Sequence, residues 1–183
     1  DSDAGMLYKS DKEKMFGYNT SVICDNNNYI LTVDTNPSNM HDSVAFYDSF
    51  DNFTNNYDIS KTKYFVGDAA YLTNHICKTI IELEMIPALP YSRLGYKKGY
   101  FKKYEFVYDE LNDIYICPNG KDLISNDKYN KDGYKIYKAD KCDCSECPFK
   151  EKCTKSNYKQ ILRHVWEEYK EMVNDYRHHQ DVK

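Results

Sequence analysis

Hydrophobic and polar positions change rhythm several times along the chain, and each change marks an element. Tyr18, Ser21-Val22-Ile23 and Tyr29-Ile30-Leu31-Thr32-Val33 are rich in β-branched and aromatic residues. Between them Asp25 to Asn28 supply residues that tolerate left-handed backbone, so the segment predicts a β-hairpin, ended by Pro37. Residues 39–53 then change to helical spacing, with Val44, Phe46-Tyr47 and Phe50 as the apolar face and Asp42 or Ser43 as the cap. Tyr64-Phe65-Val66 reads as the end of a buried strand that stops on Gly67-Asp68. A second helix follows, with Thr73 or Asn74 at its start and Ile76, Ile80, Ile81 and Leu83 on or near one face. Residues 86–91 form a short strand bracketed by prolines. Hairpin, helix, strand, helix, strand is an α/β order with a mixed sheet and a plausible parallel crossover.

From residue 92 to about 158 the texture differs. Arg93, Lys97, Lys98, Lys102 and Lys103 are interleaved with Tyr91, Tyr96, Tyr100, Phe101, Tyr104 and Phe106. Cations meet phosphate oxygens and aromatic faces stack on bases, so this stretch is a candidate DNA contact; the competing reading is a solvated loop with locally packed tyrosines. Two short β segments flank residues 126–133. The last segment, 159–183, carries Ile161, Leu162, Val165, Trp166, Tyr169, Met172, Val173 and Tyr176 at helical spacing and predicts one amphipathic helix. The chain thus divides into an α/β part (1–91), a basic, cysteine-bearing insertion (92–158) and a returning helix (159–183).

Charge sharpens the division. Residues 1–58 hold ten acids against three lysines, whereas the whole chain is only −4, so the remainder is net basic. An acidic front and a basic back suit a metal site beside a phosphate-facing surface. With no apolar run of 18 residues and no leader pattern, neither a membrane span nor secretion is expected. The chain opens on Asp1 rather than Met and reads as a fragment of a longer protein. Seven cysteines, an odd number, fit a reduced, cytoplasmic setting.

Four of those cysteines fall within 142–153. Cys144-x2-Cys147-x5-Cys153, with Cys117 from a turn before Pro118 and Gly120, offers four thiolates, the donor set that tetrahedral Zn²⁺ prefers. Cys142 is an alternative ligand. A disulfide or a redox Cys-x2-Cys is the competing reading, though the helix-start context of a thioredoxin-type motif is missing. Asp68 is the other candidate. In open α/β sheets, ligands bind beyond the carboxyl ends of strands, and Asp68 stands at such an end; its bland alternative is a turn cap. His41-Asp42, at a helix start near the sheet, is either an N-cap or the edge of a site.

These motifs, taken in order, resemble the DDE transposases of bacterial insertion sequences, specifically the group whose catalytic domain carries a cysteine-bearing insertion. "DSDAGM", "FGYNTSV", "NPSNMHDS", "VGDAAY", "YICPNGKDL", "CSECPFKEKCT" and "RHVWEEYKE" follow one another along almost the whole chain. Two departures stand out: Ser2 replaces the usual proline, and Ala70 replaces the usual glycine, where a side chain is expected to strain the turn after Asp68. The resemblance implies a ribonuclease H-like fold in which three carboxylates hold two Mg²⁺ ions for phosphodiester cleavage and strand transfer. Asp68 is then the second acid. The first Asp is expected on a strand upstream of Asp1, and the final Glu downstream of Lys183; Glu167 and Glu168 are weak substitutes. The implied partner is DNA at the ends of an insertion sequence, the implied setting is the bacterial cytoplasm near the nucleoid, and a homodimer is the assembly considered for the complete protein. Catalysis by these residues alone is not expected. Two further readings stay open: a non-catalytic, zinc-stapled DNA-binding remnant that regulates transposition, and an inactive product of a decayed gene.

Overall fold

The computed structural model describes residues 1–91 and 98–176. The chain forms two compact units, Asp1–Ser92 with Tyr169–Lys183, and Arg93–Glu168.

The first unit begins with three antiparallel strands, β1 (Gly5–Ser10), β2 (Glu13–Cys24) and β3 (Ile30–Pro37), in the order β1-β2-β3. The β2–β3 hairpin matches the sequence expectation. Its register runs from Tyr18 opposite Pro37 to Cys24 opposite Ile30, and Asn28 takes a positive φ of 65° in the turn. The Asp25 carboxylate accepts the backbone N–H groups of Asn27 and Tyr29, each at 2.9 Å, which closes the turn. Strand β1 was not legible, because Gly5 to Ser10 alternates poorly and is broken by a register shift.

Helix α1 spans Asp42–Asn56. Its cap is His41, one residue before the expected Asp42 or Ser43: the imidazole accepts the Ser43 N–H at 3.2 Å. The buried stripe is Ala45, Phe46, Ser49, Phe50 and Phe53, while Val44, assigned to the core from the sequence, is exposed. Spacing of i, i+1, i+4, i+5 and i+8 places that stripe on one side and leaves position 44 outside it.

Strands β4 (Tyr64–Val66) and β5 (Ile86–Ala88) pair in parallel, joined by helix α2 (Asn74–Glu82) as the crossover. The Thr73 hydroxyl caps α2 by accepting the Ile76 N–H at 3.3 Å. Ile76, Cys77 and Ile80 of α2 are fully buried. Together with Phe46, Phe50, Phe53 and Met85 the two isoleucines make one core cluster, and Leu72, Cys77, Leu89 and Val173 make a second. Val173 comes from helix α5 (Glu167–Tyr176), so this helix packs against Cys77 of α2 and Leu89, the residue after β5.

The expected single mixed sheet is not formed among the described residues: β1–β3 and β4–β5 are separate hydrogen-bonded sheets. Nor is β4 a buried strand. Phe65 is half-buried, but Val66 is 77% exposed, because β4 has a backbone partner only in β5. Between β2 and β4 lies a cavity of about 950 Å³, lined by Ser21 to Asp25, Lys63 to Val66 and the α1 side chains Phe46, Ser49, Phe50 and Phe53.

The second unit is a five-stranded antiparallel sheet in the order β10-β9-β8-β7-β6: β6 (Val107–Asp109), β7 (Ile114–Ile116), β8 (Asp122–Tyr129), β9 (Tyr134–Ala139) and β10 (Gln160–His164). Two short helices, α3 (Lys141–Ser145) and α4 (Lys150–Cys153), lie between β9 and β10. One face of the sheet buries Tyr115, Leu123, Tyr137, Ala139 and Ile161, with Phe106. Residues 160–164 correct the sequence expectation of one continuous helix from 159. Ile161 is buried and Leu162 exposed, the two-residue period of a strand, and the segment completes the sheet by pairing with β9. Among the described residues of this segment, Glu167–Tyr176 is helical.

Candidate functional site

The site is built at the carboxyl end of β4. The strand ends at Val66, Gly67 allows close approach, and Asp68 follows. A Cβ on Gly67 would stand 3.1–3.2 Å from Leu89, Tyr71 and Phe65 side-chain atoms. Asp68 is exposed and caps a 3-10 turn, Ala69–Tyr71: its Oδ1 accepts the Ala70 N–H at 2.7 Å. Turn cap and site candidate are therefore compatible roles, since one carboxylate oxygen makes the cap. Ala70 does not have a positive φ, so the strain expected from its Cβ is absent.

Four other polar residues gather near this strand end: Asn19, Ser21, Asp42 and Tyr71. Asn19 and Ser21 lie on the inward face of β2. The Asn19 amide donates to the Asp42 carboxylate at 2.5 Å, at the start of α1. Tyr71, packed edge-on against Phe65, is close enough to both Asp42 and Asp68 to feel their charges. Burial, then those two carboxylates, push the Tyr71 hydroxyl above the ordinary tyrosine range, while Ser21 opposes them. His41-Asp42 thus divides its roles: His41 caps the helix and Asp42 borders the site. Tyr71 and Ser21 carried no sequence signal, because an isolated tyrosine or serine in a strand or turn is common. Among the described residues no three His, Cys, Asp or Glu side chains stand in metal-holding geometry. Asp68 remains a hard, exposed oxygen donor of the type Mg²⁺ takes.

Elsewhere in the first unit Asp1 accepts the Tyr18 hydroxyl, on the residue before Asn19, at 2.6 Å.

In the second unit, Cys117, Cys144 and Cys153 pack against one core cluster, and all seven cysteines are free thiols. Burial pushes the Cys153 thiol up; Lys159 opposes this, and Cys144, Cys117 and Cys147 add to it. Cys142 is exposed.

Of the basic candidates, Arg93 and Lys97 lie outside the described residues. Lys98 is exposed. The Lys102 ammonium stands 5.4 Å from the Tyr104 ring centre, and Lys103 pairs with Glu167 at 2.5 Å. Glu167 is therefore an ion-pair partner at the start of α5.

A network missed in the sequence links the β6–β7 turn to β9. Asp113, in the β6–β7 turn with a φ of 51°, accepts the Tyr108 hydroxyl at 2.7 Å and also takes the Tyr137 hydroxyl and the Lys135 ammonium. Burial would raise its pKa, but those three donors outweigh it and hold the carboxyl at about 2. Arg163 lies over the Tyr108 ring at 3.8 Å. Tyr108, Tyr115 and Tyr137 pack against one another beneath it.

A parallel β-α-β unit with an exposed aspartate at its strand end defines a mixed α/β protein. Residues 2–179 match the model of the family described as "Transposase DDE domain", and the chain belongs to that family. No curated protein and no solved structure gave a significant match. Among the described residues no helix is long and apolar enough to cross a membrane.

Proposed function

We propose that this chain supplies the central part of a ribonuclease H-like DDE transposase domain, which cleaves and joins DNA phosphodiesters at the ends of an insertion sequence. The single observation that carries this reading is the place of Asp68, exposed at the carboxyl end of a parallel strand inside a chain of the transposase family. Asp68 is the second acid of the triad and one oxygen ligand to Mg²⁺; the metal, when bound, activates the attacking oxygen and stabilises the leaving one. The chain's own residues do the rest. Gly67 lets the strand end pack closely on Leu89, and the Ala70 N–H fixes one Asp68 oxygen. Tyr71 and Asp42 border the acid.

The first acid enters on a strand from outside residues 1–183. The cavity between β2 and β4 supports this: its lining includes Val22, Ile23, Leu31, Phe46, Phe50 and Phe53, it leaves Val66 bare, and it holds a buried Ser49 hydroxyl without a hydrogen-bond partner among the described residues. DNA is the partner. Lys98 and Lys102, with Arg93 and Lys97, are the residues we assign to phosphate contact; Lys103 is committed to Glu167. The setting is the cytoplasm, at the nucleoid.

The test uses the chain extended with its native flanking sequence and supercoiled DNA carrying the element's ends. Mg²⁺-dependent nicking at those ends, stopped by chelation, is the expected result. Intact DNA with both Mg²⁺ and Mn²⁺ present would overturn the catalytic reading and favour a DNA-binding remnant.

A further inference from the structure

The second unit has a small core and two short cysteine-bearing helices that do little to stabilise themselves. Six residues form its buried cluster, and the opposite face of the sheet leaves Val107, Ile124 and Leu162 exposed. A helix of four or five residues is far below the length at which helices hold by propensity. Something must fix α3 and α4 against the sheet.

The backbone around the cysteines is shaped for that task. After β7 the chain turns tightly over Cys117-Pro118-Asn119-Gly120-Lys121. Gly120 takes a φ of 69°, its N–H donates to the Cys117 carbonyl at 2.8 Å, and the Cys117 N–H donates to the Lys121 carbonyl at 2.8 Å. Within this turn the Lys121 N–H donates to Cys117 Sγ at 3.4 Å. This N–H fixes the Cys117 sulfur within the turn. The Lys121 ammonium then pairs with Asp143 of α3 at 3.0 Å, which ties the Cys117 turn to the helix carrying Cys144. Cys147 opens a second tight turn, where the Lys150 N–H donates to its carbonyl at 3.1 Å, and Cys153 ends α4. Cys117, Cys144 and Cys153 already rest on one cluster, Cys147 is half-buried, and Cys142 is exposed.

We propose that Cys117, Cys144, Cys147 and Cys153 bind one structural Zn²⁺, with Cys142 excluded. Four thiols surrender protons to become ligands, and the cation draws their sulfurs from packing positions into a tetrahedron. The site also bears on the basic segment: the Phe101 N–H donates to the Lys152 carbonyl at 2.8 Å, and Phe101 meets Phe149 edge-on at 5.9 Å. Fixing α4 therefore fixes the stretch that carries Lys102 and Lys103. The inference does not depend on catalysis by Asp68.

The experiment is metal analysis of the full chain, purified reduced and without chelator, followed by Co²⁺ substitution. We expect about one Zn²⁺ per chain and, with Co²⁺, the charge-transfer and visible bands of a tetrahedral thiolate site. Cys142→Ser should keep the metal, and Cys117→Ser or Cys153→Ser should lower it to under about a tenth of an equivalent. If those variants fail to fold, Co²⁺ titration of the chelated wild-type chain decides: thiolate bands at one equivalent support the site, and their absence overturns it. Full metal content in the Cys117→Ser/Cys153→Ser double variant would also overturn it.

Discussion

Asp68→Asn, made in the chain extended with its flanking sequence, should lower Mg²⁺-dependent strand cleavage by at least about a hundredfold. A bound metal stabilises transition-state charge by several kcal/mol, and each 1.36 kcal/mol is tenfold in rate. Asparagine keeps the oxygen that accepts the Ala70 N–H, so the 3-10 turn and the fold should persist. Only the negative charge is removed. Asp68→Ala should lose the same activity and also the cap, at a cost of about 1 kcal/mol. Cleavage within threefold of wild type for both variants, measured on end-labelled DNA, would remove Asp68 from the active site.

Asp113→Ala should be the most damaging polar substitution in the second unit. It takes the carboxylate acceptor from the Tyr137 hydroxyl, on a residue that is only 1% exposed and is left with Tyr108 as partner, and leaves the Lys135 ammonium without its nearest carboxylate. Losing the hydrogen bonds that one charged carboxylate accepts from Tyr108, Tyr137 and Lys135 costs on the order of 2–3 kcal/mol. The pH dependence has a definite sign. Because the folded carboxyl is held at about 2, below its ordinary 3.8, its stabilisation is complete above pH 3.8 and disappears as pH falls towards 2. Thermal melts of wild type and Asp113→Asn between pH 2 and 6 should therefore converge at the acid end. Parallel curves across that range would contradict the network.

Much of the first unit was legible because its patterns are local. The Asp25–Asn28 turn, the α1 and α2 faces and the parallel pair with Asp68 at its end follow from turn chemistry and periodicity. Two features were hidden because they depend on what pairs with what. The exposure of Val66 reflects a strand with one partner, and nothing in Tyr64-Phe65-Val66 reveals its missing neighbour. Residues 160–164 carry apolar side chains that suit a helix as well as a strand, and the β9 edge decides in favour of the strand. The Asp113 network was hidden for a similar reason: Tyr108, Tyr137 and Lys135 are distant in sequence and meet only through the sheet. In the candidate site, the position of Asp68 just after a strand was readable. Tyr71, Ser21 and the Asn19–Asp42 pair were not, because they converge from three different elements.

The central claim is that Asp68 is a metal ligand, and the most direct measurement is metal-specificity rescue in the extended protein. Asp68→Cys replaces a hard oxygen with a soft sulfur, which accepts Mn²⁺ far better than Mg²⁺. The predicted result is no cleavage in Mg²⁺ with partial recovery in Mn²⁺. Wild-type cleavage in Mg²⁺, or a Mn²⁺-to-Mg²⁺ rate ratio unchanged from the unsubstituted protein, would contradict the assignment.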